Sequence, residues 1–140
     1  KFAQEKNIPC IWSATLRERD FGELKGMFYK DINKTEVFEE NFSPPGGENL
    51  KEFKTRVDYA WDEIIEVGNS LTGELVIITH GLIIKDLLKR KLLLDDRVTP
   101  KYDIVPNTSI TIFEPTCPYK VIKFACTKHL KSIEINQGIA

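Results

Sequence analysis

Apolar residues at Leu50, Phe53, Val57, Ala60, Trp61 and Ile64 recur at three- and four-residue intervals, while Lys51, Glu52, Lys54, Arg56, Asp58, Asp62 and Glu63 fall mostly on the other side. That period belongs to one face of an α-helix. It predicts an amphipathic helix from about Asn49 to Val67, with Asn49 as N-cap and Gly68-Asn69 as the stop. The pattern then changes. Glu74 to Thr79 is a continuous apolar block between polar residues, as in a strand buried on both faces of a parallel sheet. Leu82 to Leu94 returns to helical spacing, with Ile84, Leu87 and Leu88 opposite Lys85, Asp86, Lys89 and Arg90.

Elsewhere the pattern has a period of two. Thr108 to Glu114 and Tyr119 to Cys126 alternate on either side of Pro115-Thr116-Cys117-Pro118, which predicts an antiparallel hairpin at a sheet edge. Ile8 to Trp12 reads as a short strand end leading into a polar loop, and Lys30 to Glu40 as a short surface helix. Ser43-Pro44-Pro45-Gly46-Gly47 breaks regular structure, because two prolines fix φ and two glycines permit positive φ. No repeat, low-complexity tract or linker divides the chain. Strands alternating with helices indicate an α/β domain with a mixed, mainly parallel sheet.

Composition narrows the partners more than the fold. A chain of 140 residues buries about 68% of its unfolded surface, enough for a core without staples. A net charge of −1 argues against a protein that coats nucleic acid, while leaving room for a local basic pocket holding one small phosphorylated ligand. No apolar run approaches the roughly 20 residues that span a bilayer. Cys10, Cys117 and Cys126 are odd in number and lack C-x-x-C spacing, so neither a disulfide framework nor a zinc site follows from them. Reduced, partly buried thiols in a cytoplasmic protein are the expectation. The chain opens at Lys1 without an initiator methionine.

Two residues could carry chemistry. His80 stands at the carboxyl end of the most apolar block, where ligands bind in open α/β sheets, and Gly81 lets backbone approach a ligand. An imidazolium beside helix N-terminal N–H groups suits a phosphate oxygen. On its own, His80 reads equally well as a structural residue closing a strand. Glu18 lies in Leu16-Arg-Glu-Arg-Asp20, where guanidiniums could hold a phosphoryl group and the carboxyl could protonate a leaving oxygen. Burial would favour that role and the adjacent arginines would oppose it, and composition alone favours a solvated charge run. The Pro-Pro-Gly-Gly-Glu48 stretch reads as a substrate-covering loop or as a helix entry, Asn107 as a loop anchor or a turn cap, and His129 as uninvolved.

Four ordered motifs resemble the histidine phosphatase, or phosphoglycerate mutase-like, superfamily: Leu16-Arg-Glu-Arg-Asp-Phe-Gly22 followed by Gly26, Pro45-Gly-Gly-Glu48 before a helix containing Arg56, Val76-Ile-Ile-Thr-His-Gly81, and Pro106-Asn-Thr-Ser109. The Pro-Pro-Gly-Gly-Glu and Pro-Asn-Thr pieces look closest to the TIGAR-type fructose-2,6-bisphosphatase branch. The resemblance implies a three-layer α/β sandwich and transfer of a phosphoryl group to a histidine in an Arg-His-Gly motif, then to water. Glu18 would be the proton donor and acceptor and His80 the second pocket histidine, with Arg19, Gly81 and Asn107 as substrate contacts. The substrate would be a small phosphorylated sugar or glycerate, and no metal or other cofactor would be required. A mutase would return the phosphoryl group to substrate instead.

These 140 residues contain no Arg-His-Gly, and neither His80 nor His129 follows an arginine. The expectation is therefore the C-terminal portion of a single histidine phosphatase domain, truncated at its N-terminus and inactive alone. A non-catalytic phosphate- or partner-binding descendant is the alternative.

Overall fold

The computed structural model describes residues 2–27, 37–94 and 105–130. In chain order the elements are α1 (Phe2–Glu5), α2 (Leu50–Ser70), α3 (Gly81–Arg90), β1 (Ile110–Phe113) and β2 (Val121–Cys126), with short 3-10 turns at Ala14–Leu16, Gly22–Leu24 and Lys128–Leu130. Residues 30–36 of the helix expected over Lys30 to Glu40 lie outside the described residues, and residues 38–40 are turn or bend.

The helix that organises the rest is α2. Its start is a reciprocal cap: Asn49 Oδ1 accepts from the Glu52 N–H at 2.9 Å, and Glu52 Oε2 accepts from the Asn49 N–H at 2.9 Å. It runs past the expected stop at Gly68-Asn69 to Ser70. The last carbonyls find partners without a left-handed residue, since Ser70 Oγ donates to the Val67 carbonyl and the Leu71 N–H to that of Gly68. The predicted face is the buried one, with Phe53, Val57 and Trp61 packing against Leu82, Ile83 and Leu87 of α3. The hairpin closes the other side through Trp61, whose ring meets Tyr119 edge-on at 4.9 Å and Phe113 at 5.9 Å.

A polar clamp joins the two helices where their apolar faces end. Arg90 donates to Asp86, to Asp58 at 2.7 Å and to the Lys54 carbonyl at 3.0 Å, and Lys91 reaches Asp58 at 2.7 Å. Burial alone would raise the Asp58 carboxyl pKa, but hydrogen bonds from Lys91 and Arg90 outweigh it and hold the pKa below its ordinary value. The second helix ends at Arg90, short of the expected Leu94. Leu93 is drawn instead into a parallel bridge with Lys120, accepting from the Val121 N–H at 2.9 Å and donating to the Tyr119 carbonyl at 3.2 Å.

The hairpin forms as expected, antiparallel, with Ile110 opposite Cys126 and Phe113 opposite Val121. Two other expectations are corrected. Glu74 to Thr79 forms no regular element and pairs with no strand among the described residues, and Val76 and Ile78 are 78% and 89% exposed rather than buried. Ile8 to Trp12 behaves alike, with Trp12 94% exposed. An apolar run secures an extended backbone only where ladder bonds and a covering layer are supplied, and the described residues supply neither. Cys10 and Cys117 are exposed, not partly buried; Cys126 is half-buried. No described helix is long and apolar enough to cross a membrane.

Two loops fix the segment before α2. The Glu23 N–H donates to the Pro45 carbonyl at 2.9 Å and the Glu48 N–H to that of Asp20 at 2.8 Å, so residues 20–23 and 45–48 meet backbone to backbone. A Cβ on Gly47 would stand 2.4 Å from the Asp20 carbonyl oxygen, and one on Gly22, whose φ is +52°, would stand 2.0 Å from that of Pro45. The Pro-Pro-Gly-Gly stretch is thus a fixed entry to the helix. Gly47→Ala is expected to cost about 1–3 kcal/mol, read as a lower urea midpoint at unchanged slope; an unchanged midpoint contradicts the close approach.

Glu63 accepts from Ser13 Oγ and Thr15 Oγ1, each at 2.7 Å, and these two bonds hold its pKa below the usual 4.5. A lowered carboxylate pKa stabilises the fold above its unfolded value and loses that contribution as pH falls through the folded value. Urea midpoints should therefore decline from about pH 4.5 downward, and Glu63→Gln should flatten part of that decline. An identical acid slope in the variant would remove Glu63 from this role.

Candidate active site

Residues 15–22 carry Glu18 and make no ladder, so their backbone groups need partners from elsewhere. The Ala14–Leu16 turn is capped by Ser13, whose Oγ accepts from the Thr15 N–H at 3.3 Å, and Glu63 ties both hydroxyls to α2. Within the turn and just after it, Arg56 of α2 donates to the carbonyls of Thr15 at 2.6 Å, Arg17 at 2.8 Å and Glu18 at 3.4 Å. Thr79 Oγ1 takes the remaining carbonyl, that of Leu16, at 2.7 Å. Glu48 meets Arg56 in a bidentate pair, accepting from Nε at 3.1 Å and from the second terminal nitrogen, and also accepts from the Asp20 N–H at 2.9 Å. At the far end Asp20 turns the chain, accepting from the Gly22 N–H at 2.8 Å and pairing with Lys25 at 2.7 Å. The hydrogen bond from Lys25, and then that from Gly22, lowers the Asp20 pKa.

The half-buried Glu18 side chain accepts from the Arg19 N–H at 2.9 Å and from the Leu82 N–H at 3.4 Å. The second donor places it at the start of α3. His80 is the N-cap residue of that helix, yet its side chain makes no capping bond and the residue is exposed. Glu18 supplies the acceptor that the N-cap imidazole does not, and the two candidate residues meet at one helix terminus. Gly81 is the first residue of the helix between them.

Arg19 is only 2% exposed. Its guanidinium donates to the Val37 carbonyl at 2.8 Å and to the Glu48 carbonyl at 3.3 and 3.4 Å, and lies 5.1 Å from the Phe21 ring centre. Burial lowers its pKa, with the Glu48 charge acting the other way. Among the described residues the hydrogen-bond partners of the Arg19 guanidinium are carbonyl oxygens. Asn107 is exposed in a turn closed by the Ser109 N–H on the Pro106 carbonyl at 3.1 Å. Among the described residues no hydrogen bond joins it to Glu18 or His80. His129 is exposed in the Lys128–Leu130 turn. Among the described residues no three His, Cys, Asp or Glu side chains converge as metal ligands would.

The hydrogen-bonding role of Arg56 and Glu48 is missing from the sequence reading, which set Arg56 on the polar side of its helix. A signal existed: Arg56 adjoins the buried Val57 and lies three residues after Phe53 and four before Ala60, at the border of the apolar stripe. A charge there faces neighbouring chain as readily as water.

An exposed imidazole, a helix N-terminus that the His80 side chain does not cap and a carboxyl at one point suit an anionic ligand and proton exchange with it. The model of the histidine phosphatase superfamily (branch 1) matches residues 1–125. The chain is 31% identical over 116 residues to phosphoglycerate mutase-like protein 4 of Arabidopsis thaliana, covering 76% of this chain and 47% of that protein. It is 28% identical to a broad-specificity phosphatase of Saccharomyces cerevisiae, over 81% of this chain and 50% of the relative. A protein named "Probable phosphatase" in Schizosaccharomyces pombe is 27% identical over 95% of this chain and 66% of its own length. The chain thus spans between about half and two thirds of these relatives. No solved structure gives a significant match. With a family model aligned along all but the last residues, this chain belongs to the histidine phosphatase superfamily, an α/β fold.

Proposed function

We propose that this chain is the C-terminal portion of a histidine phosphatase domain, and that the whole protein hydrolyses small phosphate monoesters such as a phosphorylated sugar or glycerate. The carrying observation is the meeting of Glu18 with the N-terminus of α3, where His80 stands exposed. The reading also draws on relatives whose names include phosphatases. In this proposal the sheet is mixed and mainly parallel within a three-layer sandwich, and the exposed Glu74 to Thr79 segment is one of its strands. Three free cysteines favour a reducing, cytoplasmic setting.

In the first step a histidine nitrogen from an Arg-His-Gly segment, which these 140 residues do not contain, attacks phosphorus. A P–N bond forms, the ester P–O bond breaks, and the Glu18 carboxyl gives its proton to the leaving oxygen. In the second step water attacks phosphorus, the Glu18 carboxylate takes the water's proton, and the P–N bond breaks to release phosphate. His80 stabilises the charge on the transferring group, together with N–H groups of α3. Gly81 admits the phosphoryl group close to the backbone, and Asn107 adds a substrate contact; Arg19 would add another only by giving up one of its carbonyl partners, Val37 or Glu48.

A second reading is a phosphate- or partner-binding protein without turnover, which the exposed His80 at the head of α3 would equally serve. Assaying the full-length protein separates them. Glu18→Gln should slow hydrolysis of an alkyl phosphate by about 100-fold or more, with a much smaller effect on p-nitrophenyl phosphate, whose leaving group needs no proton. An unchanged alkyl phosphate rate removes Glu18 as the acid. The 140-residue chain alone should turn over neither substrate, and acid-labile phosphate on His80 would contradict its assignment.

A further inference from the structure

A carboxyl that protonates a leaving group must be held in place by something stiffer than its own loop, because a displacement of about 1 Å can cost about 100-fold in rate. The loop here is stiffened from outside. All four successive carbonyls from Thr15 to Glu18 accept side-chain hydrogen bonds, three from Arg56 and one from Thr79. The Arg56 guanidinium has five N–H groups and makes five hydrogen bonds, three to these carbonyls and two to Glu48. Its Cζ lies 5.5 Å from the Phe53 ring centre, on a helix anchored in the core.

Glu48 extends the grip past Glu18. Its carboxylate orients Arg56 on one side and accepts from the Asp20 N–H on the other, while its own carbonyl takes the Arg19 guanidinium. The backbone is therefore held both before and after Glu18 by one ion pair. Among the described residues the donors to the Glu18 carboxylate are the Arg19 and Leu82 N–H groups, and no hydrogen bond joins it to the Arg56 or Glu48 side chain.

We infer that Arg56 and Glu48 are positioning residues for Glu18: their bidentate pair sets the carboxyl against the start of α3, and so against the leaving oxygen. The inference rests on the reading of Glu18 as the general acid. Lysine cannot replace the arginine, because an ammonium offers a point charge with three donors in place of a planar fork of five.

The test measures kcat and KM of the full-length enzyme for an alkyl phosphate and for p-nitrophenyl phosphate in Arg56→Lys, Glu48→Gln, Glu18→Gln and Glu18→Gln/Arg56→Lys. Arg56→Lys should lower kcat for the alkyl phosphate by about 10- to 100-fold, with KM within about twofold and p-nitrophenyl phosphate little affected. Glu48→Gln should show the same selectivity with a smaller loss. Adding Arg56→Lys to Glu18→Gln should cost almost nothing further, since both changes act on one step. Equal losses on both substrates, or additive losses in the double variant, would overturn the inference and leave Arg56 a general structural residue. If Glu18→Gln itself lacks the leaving-group selectivity, the assignment of the acid fails first. If it shows the selectivity and neither Arg56→Lys nor Glu48→Gln does, only the positioning role fails.

Discussion

The Arg56 guanidinium settles a problem that the sequence of residues 15–18 creates for itself. Those residues leave the Ala14–Leu16 turn without entering a helix or a ladder, so their carbonyls have no neighbouring backbone to pair with. These residues are half-buried or exposed, so without a fixed protein partner their carbonyls would turn to water and the loop would lose its single conformation. Water could satisfy them but would not fix a direction. A planar fork on a rigid helix satisfies three of them and holds the segment in one conformation, with Glu48 closing the remaining edge of the fork. Removing one member of such a pair leaves the other poorly solvated, a situation that costs about 3–5 kcal/mol in fully buried pairs.

That arrangement depends in turn on where α2 sits. Fully burying side chains such as Val57 and Ile83 stabilises the fold by about 1.5–3 kcal/mol each, and this packing fixes the rotation of α2 about its axis. Once the rotation is set, Arg56 beside Val57 must reach toward residues 15–18, and Asp58 toward Arg90 and Lys91. The same packing orients α3, so the Leu82 N–H points at Glu18. Core and site share one helix, and a change in either is felt in the other.

The apolar segments Ile8 to Trp12 and Glu74 to Thr79 stand apart from this core. Val76, Ile78 and Trp12 present large apolar side chains to solvent. Such surface is a cost in water and an invitation to pairing with another strand. Thr79 still anchors the end of its segment to the Leu16 carbonyl, which keeps His80 at the head of α3 although the five residues before it lack a ladder.

Local pattern determined α2, its Asn49 cap, its buried face and the β1–β2 hairpin, because each is written in the spacing or type of residues near in sequence, whatever distant residues then cover the apolar face. The ordered motifs likewise led to the family and to Glu18 and His80 as the residues to watch. The C-terminal ends of α2 and α3 differ from expectation, since they depend on later partners: Ser70 Oγ takes the Val67 carbonyl in one case, and in the other Leu93 leaves the helix to bond Tyr119 and Val121. Tertiary structure decided that the Glu74 to Thr79 block is exposed, that the Arg19 guanidinium turns inward, and that Arg56 and Glu48 brace the loop. Those outcomes depend on pairings such as Arg56 with Thr15 or Leu82 with Glu18, 41 and 64 residues apart, and no local pattern specifies which distant carbonyl a guanidinium will reach.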